Sequence, residues 1–147
     1  MRVQHSWVDD DGGYSDRYGV FVYNVGAVAE SYGLHVGGLW SYEAGHPDHL
    51  RQWQPPDLRR ELAAGRPVIV DVHYRALPAH RGSRANDDHY IVLHGVLHGF
   101  RGDDFVYSDP MGTHAAAGDV RIASADLLAA MDQTQTPRAG FAVLQGR

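Results

Sequence analysis

The ten residues NDDHYIVLHG, Asn86–Gly95, decide how this chain is read. Ile91, Val92 and Leu93 are apolar on both faces of an extended chain, so the stretch reads as a buried strand. It is entered through three polar or acidic residues and His89. Imidazole is the side chain best suited to moving protons near neutral pH. A second strand, FVYSD, follows after the turn text HGFRGDD, with Phe105, Tyr107 and Asp109 pointing the same way. Pro110 ends it, because proline cannot donate to a ladder. If the two strands are antiparallel neighbours, His89 and Asp109 lie at the same end of the sheet. On one face they come within hydrogen-bond reach, where an aspartate fixes the tautomer of the ring, orients it and stabilises the imidazolium. On spacing alone the signal is weak, and a capping histidine with a turn aspartate before proline is the simpler description of the pair.

Working outward, RPVIVDVHY is a strand with Val68, Val70 and Val72 on one face, and LPAHRGSRANDD is a polar loop. PPDLRRELAAG predicts a helix: Pro55 and Pro56 stop the preceding chain, Asp57 caps, Leu58 and Leu62 face inward, and Gly65 ends it. NVGAVAESYG predicts another, with Asn24 as N-cap, Val25, Val28, Ala29 and Tyr32 on one face, and Gly33 as the C′ residue. Leu34 to Gln54 is loop text with room for one strand. After Asp109 a loop leads to SADLLAAM, a helix capped by Ser124 with Leu127, Leu128 and Met131 apolar, and GFAVLQ is the last strand. The pattern is α+β, helices with a mostly antiparallel sheet, and residues 1–147 fit a single domain.

Apolar (44%) and charged (21%) fractions are those of a globular chain. A formal charge of -5 without a basic block argues against nucleic acid as a partner. No apolar run approaches the roughly 18–20 residues that span a membrane. The start, MRVQHSWVDDDGG, lacks the apolar core of a signal peptide, and no residue pattern points to a compartment. The chain has no cysteine, which excludes disulfides and thiolate metal sites.

Ten histidines invite a metal reading, but His94 and His98 stand on strand text, and Asp71 with His73 makes no ligand motif. No metal and no cofactor is implied. Asp87 and Asp88 beside His89 read as a solvated loop face. DDDGGYSD lacks the alternating ligands and terminal glutamate of a calcium loop and reads as a linker. Trp40 and Trp53 flank a loop and read as core packing, with substrate contact as the minority use.

Taken together, LRRELAAGRPVIVDV, DDHYIVLHGV, GDDFVYSDP and LLAAM resemble the C-terminal two-thirds of a papain-like cysteine peptidase. The likeness is to the bacteriocin-processing, double-glycine-leader type and its C-thirty-nine-like relatives. Members of that family show a helix ending in Gly-x-Pro-hydrophobic, here Gly65, Arg66, Pro67 and Val68. A His-led strand ending in glycine follows, then a strand closing on Asp-Pro. Upstream, YSDRYGVFVYNVGAVAESYGL is similar to the segment before a family helix with a Tyr/Leu-Gly-Leu corner, so the resemblance runs from about Tyr14 to Gln145. It implies a papain-like fold in which His89 matches the catalytic histidine and Asp109 its orienting acid. The family nucleophile opens an N-terminal helix of the form Gln…Cys-Gly-Pro, which is missing from this chain. MRVQHSW resembles the tail of such a helix, so residues 1–13 are expected to be that tail and a linker. Ser6 has no Gly-Pro after it and is not a substitute nucleophile. The family's oxyanion-hole donors, a glutamine side chain and the nucleophile's own N–H, are missing with it.

The resemblance implies peptide-bond hydrolysis through Cys, His89 and Asp109, acting on a peptide or protein substrate, with this chain inactive for lack of the cysteine. The alternative is a degenerate domain that binds a peptide or leader segment without cutting it. A histidine-based metal hydrolase on an unrelated fold is a weaker third reading. Without the first turns of the nucleophile helix, the chain is expected to expose an apolar groove beside His89 and to self-associate through it. The reading frame upstream of Met1 is expected to encode Gln…Cys-Gly-Pro, with the cysteine roughly two helical turns before Met1. Translating the genomic DNA checks this, and an in-frame stop directly upstream would favour the degenerate module.

Overall fold

Antiparallel pairing organises the chain. The computed structural model describes residues 22–37, 52–110 and 119–144. The expected helix tail at 1–13, the DDDGGYSD segment and Trp40 lie outside them. The element order is α1 (Val22–Ser31), β1 (His35–Gly37), α2 (Pro55–Ala63), β2 (Val68–His73), two 3₁₀ turns (Tyr74–Ala76 and Pro78–His80), β3 (Asp88–Leu97), β4 (Asp104–Ser108), β5 (Val120–Ala123), α3 (Ser124–Asp132) and β6 (Gly140–Leu144). The six strands form one sheet in the order β1-β6-β2-β3-β4-β5, and every pairing is antiparallel. The α+β expectation therefore stands.

Strand alternation divides the core in two. Val68, Val70 and Val72 of β2, Ile91 and Leu93 of β3, and Phe105 and Tyr107 of β4 point to one face, where Leu58 of α2 and Leu127, Ala130 and Met131 of α3 cover them. The other face carries Ile69, Tyr90, Phe141 and Val143, packed with Val22, Val25 and Ala29 of α1. Helices thus cover both faces of the sheet. Trp53 is buried in the first core, consistent with its reading as a packing residue.

Several boundaries differ from expectation, each for a local reason. Helix α2 is capped by Gln54, not Asp57, because Pro55 and Pro56 occupy the first helical positions, where no amide hydrogen is needed. Asp57 instead accepts a hydrogen bond from the Gln54 amide at 3.1 Å, as the third residue of a capping box does. Helix α1 starts at Val22, so Asn24 lies within it rather than capping it. Tyr32 falls just past the helix end and is 83% exposed, so Val25 and Ala29 supply the inward face without it. Helix α3 takes Ala123 as its N-cap, and Ser124 is its first residue. Gly33 and Gly65 do follow their helices at φ 81 and 73, the left-handed conformation that ends helices. Strand β5 stands where the sequence predicts only loop. It pairs with β4 along the sheet edge, and only Val120 and Ile122 face the core, too few for an alternation to stand out.

Gly140 is a point of close approach between β6 and β2. A Cβ there would lie 2.6 Å from the carbonyl oxygen of Ile69 and 3.1 Å from Val70 Cγ1. Because the first neighbour is backbone, it cannot swing aside. Gly140→Ala is expected to destabilise the fold by about 1–3 kcal/mol, measured by urea denaturation, and an unchanged midpoint would contradict this packing.

Candidate functional site

Two adjacent strands and the loop entering one of them build the site. Strand β3 places His89 directly across from Val72 of β2, at the edge of the larger core. Between β3 and β4 the pairs run Leu97–Asp104, Val96–Phe105 and Gly95–Val106, then shift to Leu93–Tyr107 and Val92–Ser108. His94 is the additional residue of this β-bulge. Its effect is one of phase, since neighbouring strand residues point to opposite faces. Had the pairing run unbroken from the turn, Ser108 would face Leu93 and the next pair would be Val92 with Asp109. Asp109 would then lie on the face opposite His89. With the bulge, Asp109 continues the Phe105–Tyr107 series on the face of His89.

The structure brings the two predicted residues together: His89 Nε2 lies 2.6 Å from Asp109 Oδ1. A third side chain, from a stretch whose sequence reads only as polar loop, completes the group. His80 Nε2 lies 2.7 Å from the other carboxylate oxygen, Oδ2. Carboxylate oxygens accept, and each ring donates to Asp109 in the tautomer that carries its hydrogen on Nε2. Asp109 is 5% exposed, so it is held largely by its protein partners. Tyr74 stacks on His80, with centroids 4.0 Å apart and planes at 13°, and meets His89 edge-on at 5.2 Å and 88°. Both arrangements are favourable for aromatic rings. Below them, the Tyr107 phenol is pushed up to about 12, first by burial and then by the Asp109 charge.

The loop carrying Tyr74 and His80 is tied down along its length. Leu77 is buried in the core, and the Tyr74 amide donates to the Asp87 carbonyl at 3.0 Å. Arg75 donates to the carbonyls of Ser83 at 2.9 Å and Arg84 at 3.3 Å. His73 Nε2 lies 2.8 Å from Asn86 Oδ1. No spacing rule links His80 to Asp109. Only the fold of this loop over the sheet end does.

His89 and the buried Asp109 are thus joined at one end of the sheet. The sequence model of the Peptidase_C39 like family matches residues 4–133. The chain belongs to that family. The Peptidase_C39 like match spans His80, His89 and Asp109, and ends before β6. No curated protein and no solved structure was found to match the chain.

Other polar groups of this family member are arranged differently. His94 Nε2 lies 3.1 Å from Ser108 Oγ and 3.3 Å from Asp119 Oδ1. Both partners meet the same ring nitrogen, so this is no relay in which an acid and a hydroxyl occupy opposite nitrogens. Among the described residues no group of three or more histidines and carboxylates could hold a metal ion, and no helix is long and apolar enough to cross a membrane. Asp88 faces away from His89, where it accepts from the Gln135 amide at 2.9 Å. On that back face Asp71, paired across the strands with Tyr90, is 6% exposed. Its Oδ1 has no hydrogen-bond partner among the described residues. Burial first, and then the Asp88 charge, push the Asp71 carboxyl up to about 8. Burial, with Asp71 and Asp88 adding, also raises the Tyr90 phenol.

The Asp71 shift sets a pH dependence of stability. An unfolded aspartate titrates near 3.9, so above about pH 4 the unfolded chain releases a proton that the folded chain keeps until about pH 8. The stability this group contributes is complete below that window and is lost as pH rises through it. Asp71→Asn, which cannot ionise, is expected to gain on the wild type steadily between pH 4 and 8. Parallel denaturation profiles of the two proteins across that range would contradict the assignment.

Proposed function

We propose that this chain carries the histidine and acid of a papain-like cysteine peptidase site, with His89 as the proton-transfer residue and Asp109 as its orienting acid. The observation that carries the reading is the 2.6 Å contact between His89 Nε2 and Asp109 Oδ1, within the region matched by the Peptidase_C39 like family. Donation from Nε2 to Asp109 leaves the Nδ1 lone pair of His89 as the base. A proton taken there from a thiol makes an imidazolium, whose charge the buried Asp109 carboxylate stabilises. The same proton then passes to the leaving amine of a cleaved peptide. The chain holds no cysteine, so its own residues do not supply that thiol.

That last fact favours a second reading, a degenerate domain that retains the peptidase architecture and holds a peptide or leader segment without cutting it. The two differ in what is produced from the reading frame together with any in-frame sequence upstream of Met1. Protein expressed from it is expected to cleave peptides in a thiol-dependent way, with alkylation abolishing the reaction. His89→Ala should lower turnover by about a thousandfold or more, and Asp109→Ala by about a hundredfold to ten-thousandfold. Saturable peptide binding with no cleavage, unaffected by alkylation, would replace the peptidase reading with the binding one.

A further inference from the structure

We infer that His80 is a positioning residue for the proposed site, acting through Asp109 rather than on a substrate. The inference rests on the reading of His89 and Asp109 given above, and it adds a residue that the His-led strand and the Asp-Pro strand end do not contain.

A carboxylate with one donor can turn about its Cβ–Cγ bond and offer either oxygen, or neither, to a neighbouring ring. Asp109 lacks that freedom. Its Oδ2 is held by His80 at 2.7 Å while Oδ1 faces His89 at 2.6 Å. The two bonds use the two oxygens separately, so they support one another rather than compete. Hydrogen bonds to an ionised acceptor are the stronger kind, and this one is shielded, since the Asp109 side chain is 3% exposed.

His80 is itself held. Its ring lies flat on Tyr74, its amide donates to the Leu77 carbonyl at 2.9 Å, and Leu77 is anchored in the core. Tyr74 also meets the edge of His89, so one phenol ring fixes the planes of both imidazoles. The arrangement runs from buried Leu77 through His80 to Asp109 and on to His89. Each member restricts the next, which is how a preorganised acid–base group is supported.

Two substitutions separate the donor from the ring. His80→Phe keeps a ring to stack on Tyr74 and removes the donor, whereas His80→Gln keeps an amide donor and removes the ring. The readout is solvent exchange of the His89 Nε2 proton, followed by NMR on protein labelled with nitrogen-15 at histidine. It needs no enzymatic activity. His80→Phe is expected to accelerate that exchange about tenfold or more, equivalent to about 1.4 kcal/mol, with the melting temperature largely kept. His80→Gln should stay within about twofold of wild type. Asp109→Ala serves as the reference in which the acceptor itself is gone. Rapid exchange in Asp109→Ala with no change in His80→Phe would overturn the role of His80 and leave the His89–Asp109 pair intact. Equal acceleration in His80→Phe and His80→Gln, or acceleration in Gln alone, would also overturn it, because ring packing rather than donation would then matter. No acceleration in Asp109→Ala would remove the His89–Asp109 bond, and with it both this inference and the function it rests on.

Discussion

A buried carboxylate keeps its charge only where donors replace the water it has lost, and Asp109 meets that condition with two imidazoles drawn from different parts of the chain. One comes from the start of β3 and the other from the connection between β2 and β3. The acid stands one residue past the end of β4. The surrounding architecture can be understood as what these three positions require. Strands β2, β3 and β4 must be adjacent, the connection must fold back over their common end, and the core under it must be rigid enough to fix Tyr74 and Leu77. The valines of β2 and the aromatic residues of β4 supply that rigidity.

Much of this is legible from residue order. Strands β2, β3, β4 and β6 and helices α1, α2 and α3 carry enough periodic apolar positions to be recognised, and His89 and Asp109 stand out because each marks a strand end. Other features have no comparable signal. His80 sits among polar loop residues, and its link to Asp109 arises only once the loop is packed. Strand β5 has two inward residues, and cap positions move wherever proline or a neighbouring residue changes which amide lacks a partner. The bulge does leave a trace in the residues, though one that is plain only beside the observed pairing. Ile91 and Leu93 keep one phase and Val96 takes the other, with Gly95 between them, and a glycine inside strand text is a sign of such an offset.

Nearness in sequence misleads at this site. Asp88 is bonded directly to His89 in the chain yet serves the opposite face, where it meets the Gln135 amide and His73. Alternation along one strand therefore separates two acid–base environments. On the front, a carboxylate is satisfied by donors. On the back, Asp71 is buried beside its cross-strand neighbour Tyr90, with the exposed Asp88 carboxylate adding its charge, and burial favours the protonated acid. The second environment favours the neutral acid, although the two are separated by no more than the thickness of the sheet.

The bulge at His94 also bears on how this strand can change in length. In a regular ladder, losing one residue reverses the facing of everything beyond it, so deletions inside strands are seldom neutral. Here the deletion of His94 would straighten β3 while leaving each of the pairs from Leu97–Asp104 to Val92–Ser108 as it is. His89 and Asp109 would stay in phase, and the deletion would chiefly remove the interactions of His94 itself with Ser108 and Asp119. The strand thus holds one residue of slack, placed between the hairpin turn and the site, so that its length can vary by one there without parting the histidine from the aspartate.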